Sequence, residues 1–172
     1  NGQIDLAIIG GQLPGDLENL LQVIPYATDE LALVLPSKHP LSNKKELLKE
    51  DLYKLNFVTL DSQSTTRKVV DKLLKDSGLD IQRLKIEMEL NSLEAIKNAV
   101  QSGLGASFLP VVSIERELAA GTIHKAFIAD LEVKRELKLI TNPSRYTSRA
   151  SEVFKKNILP QFASFESPLR ES

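Results

Sequence analysis

The sequence contains no cysteine, which excludes disulfides, thiolate metal sites and cysteine nucleophiles together and leaves the redox compartment open. It holds two histidines, His39 in a Pro-flanked turn and His124 near a strand start. Two histidines without cysteine offer no metal-ligand spacing, so no metal is expected and both read as structural or surface residues. An excess of charge of either sign is also absent: 22 Lys and Arg stand against 23 Asp and Glu, a net charge of −1. No long-range field would draw such a chain onto nucleic acid or an anionic membrane, so a DNA partner would have to be held by another segment. The longest apolar runs, such as Leu31 to Leu35, are far shorter than a membrane span. Neither GxSxG, a P-loop nor GxGxxG occurs, and no nucleophile has a base beside it. The chain therefore reads as a binding protein rather than an enzyme, with no cofactor. The start, Asn1-Gly2-Gln3, shows neither an initiator Met nor a signal pattern and reads as an internal start.

What is present is an ordinary globular composition, 42% hydrophobic and 26% charged over 172 residues, enough for one domain or two small lobes. The apolar run Ile4 to Ile9 reads as a buried strand of a parallel sheet closed by Gly10-Gly11. Leu21 to Tyr26 and Glu30 to Leu35 read as two strand-like parts joined at Ala27-Thr28-Asp29 and stopped by Pro36. A short helix is expected around Lys44 to Glu50. A regular alternation follows: strand Asn56 to Leu60, helix Thr65 to Ser77 stopped by Gly78, strand Lys85 to Leu90, and a helix over Leu93 to Val100 stopped by Gly103. Asn91 and Glu94 have the spacing of a capping box for that last helix. Strand Ala106 to Leu109, helix Val112 to Ala120, strands Ile123 to Ile128 and Glu136 to Thr141, and a helix Ser148 to Phe165 kinked or divided at Pro160 complete the pattern. Such alternation specifies an α/β architecture with mostly parallel sheets.

In parallel α/β sheets ligands sit beyond the carboxyl ends of strands, where loop amides and helix N-termini point. Three such ends are candidates. Gly10-Gly11 lets a backbone approach a ligand closely. Gln63-Ser64-Thr65-Thr66-Arg67 puts an amide, hydroxyls and a guanidinium at a helix start, and Asn91-Ser92 does the same at another. These groups suit a carboxylate or phosphate, with Arg67 as a bidentate partner. The plainer reading stays open beside this one, because Ser, Thr and Asn cap any helix and Arg67 can be a solvated first-turn residue.

Several segments, in order, resemble one family. Asn1-Gly2-Gln3-Ile4-Asp5-Leu6-Ala7-Ile8 resembles its "G-x-L-D-L-A-I" strand, and Glu30 to Pro36 with His39-Pro40-Leu41 resembles its "E-x-L-x-L-V-x-P-x-x-H-P-L" segment. Ser92 to Lys97, Val100, Gly103-Leu104-Gly105, Leu109-Pro110 and Glu117 to Gly121 are similar to its helix, turn, strand and following helix end. The family is the LysR-type transcriptional regulators. Gly10 to Pro14 and Pro25 to Leu33 resemble most the Rubisco-operon and inorganic-carbon regulators of photosynthetic bacteria and plastids, which sense anions such as ribulose bisphosphate, 2-phosphoglycolate and 2-oxoglutarate.

The resemblance implies an effector-binding domain with a fold like that of type 2 periplasmic binding proteins: two α/β lobes, two crossing strands and the inducer between them. Lobe one would be residues 1–29 and 139–166, lobe two 30–138, and 167–172 a tail. Gly10, Gly11, Ser64, Thr65, Thr66, Asn91, Ser92 and Thr141 would surround the cleft. The family's domain begins with a strand, a hydroxyl-bearing loop, a helix and a second strand before the "D-L-A-I" element. Lobe one is thus expected to be partial, with an uncovered face or edge on the Ile4 to Ile9 strand. The implied partners are a small anionic metabolite, a second copy or three more in a homodimer or homotetramer, and DNA through a winged helix-turn-helix outside this chain, with no membrane. The implied location is the cytoplasm or plastid stroma, and the implied target is carbon fixation. Two alternatives stay open: a solute-binding protein of a transporter, and an enzyme on a prephenate dehydratase-like pair of lobes.

Overall fold

The computed structural model describes residues 6–11, 13, 15–143 and 148–163. Its elements run β1 (Leu6–Ile9), α1 (Gly15–Glu18), β2 (Gln22–Pro36), β3 (Asn56–Leu60), α2 (Thr65–Asp76), β4 (Lys85–Leu90), α3 (Leu93–Gln101), β5 (Ser107–Pro110), α4 (Glu115–Ala119), β6 (Ile123–Ala126), β7 (Lys134–Thr141) and α5 (Arg149–Ala163). The chain divides into two compact units, Asn1–Thr28 with Glu136–Ser172, and Asp29–Arg135. Strands β2 and β7 each contain one of the two division points. The second division lies three residues before the Lys138-Leu139 step that the family pattern suggests.

The unit Asp29–Arg135 is organised by strands buried on both faces. Leu31, Leu33 and Leu35 of β2 join one core with Phe57, Val70 and Leu74, whereas Ala32 and Val34 join a second with Val58, Ile96, Val100 and Leu109. That split is the period-2 alternation of a strand, and it explains why the run reads as continuously apolar: both faces are covered. Helix α2 closes the first core through Val70 and Leu74, and α3 closes the second through Ile96, Ala99 and Val100. Helix α2 ends at Gly78, which has φ +91°; the Leu79 N–H reaches the Leu74 carbonyl and the Gly78 N–H the Lys75 carbonyl. This is a Schellman closure, which requires a left-handed residue and so favours glycine.

Strands β3 and β4 are parallel, with Asn56 opposite Lys85 and Leu60 opposite Leu90. Beyond them the expectation of mostly parallel sheets is corrected. Strand β2 pairs antiparallel with β5 (Leu31 opposite Pro110) and with β6 (Leu33 opposite Ala126). In the other unit β1 pairs antiparallel with β7 (Leu6 opposite Thr141, Ile9 opposite Lys138). Burial on both faces produces the same apolar run whichever way the partner strand points, so residue pattern alone could not set direction. Leu139 and Ile140 of β7 are buried, while Ile8 of β1 is exposed.

The two strand-like parts joined at Ala27-Thr28-Asp29 form one continuous strand over residues 22–36. Three further local expectations change. The helix expected at Lys44 to Glu50 is replaced by two 3-10 segments, Pro40–Asn43 and Lys49–Lys54. The helix expected at Val112 to Ala120 is a 3-10 turn, Val111–Ser113, followed by α4. Helix α5 runs to Ala163 and is not divided at Pro160. The last two residues expected in that helix, Ser164 and Phe165, lie outside the described residues, as do Ile4 and Asp5 at the start of the expected first strand.

The second 3-10 segment depends on a buried carboxylate. Asp51 accepts from Lys54 Nζ at 2.8 Å, from the Leu48 N–H at 3.2 Å and from Lys44 Nζ at 3.2 Å. These bonds, Lys54 first, hold its carboxyl at about 2, below its ordinary 3.8. Because the folded value is the lower one, the contribution is complete above about pH 4 and disappears as pH falls toward 2. With the exposed lysines screened by solvent, Asp51 should account for a loss of about 1–2 kcal/mol across that window. Urea unfolding at pH 4, 3 and 2 should show a shallower decline for Asp51→Asn than for the wild type; parallel curves would refute the assignment.

Candidate functional site

The parallel β3–β4 register decides which candidate residues meet. Because Leu60 and Leu90 end the two strands side by side, the loop before α2 and the loop before α3 leave the sheet at the same edge. The Asp61 N–H bonds the Leu90 carbonyl at 3.0 Å and ties the two loops together. Gln63, Ser64, Thr65, Thr66 and Arg67 therefore share one edge with Asn91 and Ser92. Two helix N-termini, each with orphan N–H groups and a partial positive charge, open at that edge.

Within it the side chains differ in what they already hold. Ser64 is the N-cap of α2, yet its hydroxyl makes no capping bond. The Gln63 N–H is taken by Asp61 Oδ1 at 2.9 Å, and the Gln63 side-chain oxygen accepts from Lys68 Nζ at 3.4 Å. Thr65 is exposed. Ser92, not Asn91, is the N-cap of α3, accepting from the Ala95 N–H at 3.4 Å. The capping box expected of Asn91 and Glu94 does not form, because the N-cap lies one residue later and N3 is Ala95; Glu94 instead pairs with Lys97 at 2.8 Å.

Arg67 is differently placed from the anion clamp that its sequence position suggests. Its Nε lies 2.8 Å from both oxygens of Asp71, and its Nη1 meets Thr59 Oγ1, the Leu60 carbonyl at 3.3 Å and Glu89 Oε1 at 3.5 Å. Its charge is answered by two carboxylates. The space that it lines with Val70, Leu74 and Ile86 under α2 measures about 30 Å³, room for a water molecule rather than a metabolite.

The guanidinium that does reach the start of α2 is Arg135. Its Nε and Nη2 donate to Asp29 Oδ2 at 2.9 and 2.6 Å, and its Nη1 donates to Thr66 Oγ1 at 2.8 Å. Both members of the ion pair are largely withdrawn from solvent, with 15% and 8% of the side chain exposed. In the sequence Lys134-Arg135 is only a two-residue basic step, too short to suggest anion binding. Asp29 lies 106 positions away, and no local signal links the two.

Gly10, Gly11 and Thr141 belong to the other unit, and there the register separates them. Thr141 faces Leu6 at the start of β1, whereas Gly10 follows Ile9, which faces Lys138. Four residue steps, about 13 Å, divide them. Thr141 is buried and its hydroxyl donates to Gln22 Oε1 at 3.3 Å. Gly10 and Gly11 form a half-buried bend. Among the described residues no group of three or more His, Asp or Glu is arranged to hold a metal ion, and no helix is long and apolar enough to cross a membrane. His39 accepts from the Leu41 N–H at 3.2 Å and caps a 3-10 turn.

These features have close relatives. The chain is 58% identical over 163 residues to a Synechocystis protein named "Probable RuBisCO transcriptional regulator", covering 95% of this chain and 47% of the relative. A protein of the same name from Trichormus variabilis is 60% identical over 163 residues, covering 95% and 48%. The chain thus spans about half the length of the curated relatives it matches. In fold it is similar to the regulatory domain of Synechocystis PCC6803 CcmR, solved in complex with 2-PG: the TM-score is 0.79 at 24% identity, over 92% of this chain and 74% of that one. These relatives are regulators, so the transporter alternative finds no support. Residues 1–163 match the model of the LysR substrate binding domain, and with the two-unit α/β architecture and relatives near 60% identity, the chain belongs to that family.

Proposed function

We propose that this chain is the effector-sensing part of a LysR-type DNA-binding transcriptional regulator that responds to a small anionic metabolite, a carboxylate or a phosphate, and acts on carbon-fixation genes. The observation that carries the anionic class is the common edge of β3 and β4. There the starts of α2 and α3 come together with the uncommitted Ser64 hydroxyl, exposed Thr65, and Thr66. Converging helix N-termini favour negative charge and supply N–H donors. The carbon-fixation assignment draws its support from the names of the relatives. Asn91 and Ser92 complete the edge, and Gln63 flanks it; the regulator is proposed to act in the cytoplasm or a plastid stroma. Arg67 is proposed to brace the α2 start through Asp71 rather than to clamp the ligand.

Response to the metabolite follows from differential affinity: an anion that binds one arrangement of the domain better than another shifts the population toward it, and only by that difference. In a homodimer or homotetramer the shift would alter how winged helix-turn-helix domains outside this chain sit on DNA.

The test is a thermal-shift panel with 2-phosphoglycolate, ribulose bisphosphate and 2-oxoglutarate, using glycerol as an uncharged control. At a concentration one hundred times its Kd, a ligand stabilises the native state by about 2.7 kcal/mol, equivalent to roughly 5–11 °C for a chain of this size. One of the anions should produce such a rise while glycerol does not. If none of the three moves the transition, the anionic reading is wrong.

A further inference from the structure

We propose that Arg135 is a positioning residue for effector binding: by donating to the Thr66 oxygen it turns the Thr66 hydroxyl proton outward, toward an acceptor on an anionic ligand at the start of α2. This rests on the anion reading above and adds to it the residue that selects acceptors over donors.

The fork of the guanidinium is the starting point. Its N–H groups have a fixed planar arrangement, so two of them anchored on one carboxylate dictate where a third points. Nε and Nη2 are anchored on Asp29 Oδ2 and Nη1 is aimed at Thr66 Oγ1. Asp29 is buried at 8% exposure, which makes the anchor immobile. Asp29 also neutralises the guanidinium, so the effect of Arg135 at Thr66 is directional more than a matter of net charge. A hydroxyl has one proton and two lone pairs. With one lone pair held by Arg135, the proton of Thr66 must point elsewhere, and among the described residues no hydrogen bond from it is found. The usual alternative, donation back to a carbonyl in the preceding turn, is likewise not seen. Thr66 therefore presents a donor, for which a phosphate or carboxylate oxygen is a fitting partner.

Titration calorimetry on the full chain with 2-phosphoglycolate as the probe tests this. Arg135→Lys keeps a cation against Asp29, so the buried carboxylate is not orphaned, but a single ammonium cannot serve both Asp29 and Thr66 as the fork does. Its Kd should rise about tenfold, the size expected for one misdirected hydrogen bond. Thr66→Val should lose at least as much, and Thr66→Ser should stay within about threefold of wild type because it keeps the hydroxyl. The deciding measurement is the double variant Arg135→Lys with Thr66→Val, which should bind no more weakly than Thr66→Val alone, since the two residues act through one group. A purely structural role for Arg135 would shift the melting temperature but not produce that coupling. The proposal is overturned if Arg135→Lys loses as much in the Thr66→Val background as in the wild type, if Arg135→Lys binds normally, or if Thr66→Val does. In each of those cases the wild type still binds and the anion reading stands. A wild type that shows no heat with 2-phosphoglycolate, ribulose bisphosphate or 2-oxoglutarate overturns both.

Discussion

Gly105→Ala should destabilise the protein by about 3 kcal/mol, which for a chain of this size lowers the melting temperature by roughly 6–12 °C. A Cβ built on Gly105 would stand 2.7 Å from the Asn56 carbonyl oxygen and 3.2 Å from Val58 Cγ2. The first neighbour is backbone and cannot rotate away. It is also engaged, because the Asn56 carbonyl accepts the Ala106 N–H at 2.8 Å and the Val58 N–H bonds the Ala106 carbonyl at 2.9 Å. This short parallel bridge is where the chain leading into β5 joins β3, so relieving the clash pulls apart two hydrogen bonds beside the fully buried Val58. Urea denaturation followed by far-UV circular dichroism measures the effect; a loss below about 1 kcal/mol would mean that the backbone gives way more easily than close packing allows.

The second large effect is expected at Asp29. Asp29→Ala removes the carboxylate that holds Arg135 and leaves a cation with 15% of its side chain exposed. Breaking a buried pair from one side typically costs about 3–5 kcal/mol; partial exposure lets the guanidinium lean toward water, so about 3 kcal/mol is expected here. Asp29→Asn keeps one acceptor and should cost about half as much. Pairing the change with Arg135→Met should recover most of the loss, since replacing both charges by apolar groups avoids the orphaned cation. The double variant would still lack the Nη1 bond to Thr66, so stability and effector affinity should separate. Equal stabilities for Asp29→Ala and the wild type would show that the pair behaves as a solvent-exposed one.

These two sites differ in how visible they are in the sequence. Gly105 stands in Gly103-Leu104-Gly105, which reads as a stop and a turn, and the need for a small residue is local to that turn plus one close approach. The Asp29–Arg135 pair has no local signature, because its members are brought together only when β2 and β7 are built. The same division holds for the elements. Strands β3 and β4 are bounded as their residue pattern indicates, and α2 and α3 end at Gly78 and Gly103, since propensity, apolar spacing and left-handed glycine caps act within a few residues. Between Pro36 and β3 the helix expected at Lys44 to Glu50 gives way to 3-10 segments: the buried residues there, Leu47 and Leu52, lie five positions apart, off the spacing of a helix face.

The absence of cysteine excludes disulfides and thiolate chemistry on residue content alone, because composition bounds what side chains can do wherever they lie. The sequence by itself likewise determined the family, through the order of its motifs, and the short-range elements. Tertiary structure alone decided strand direction, the separation of Thr141 from Gly10, the approach of Arg67 to Glu89, and the arrival of Arg135 at Thr66. All four depend on register between segments distant in the chain, and a doubly buried strand has the same composition in every register and direction.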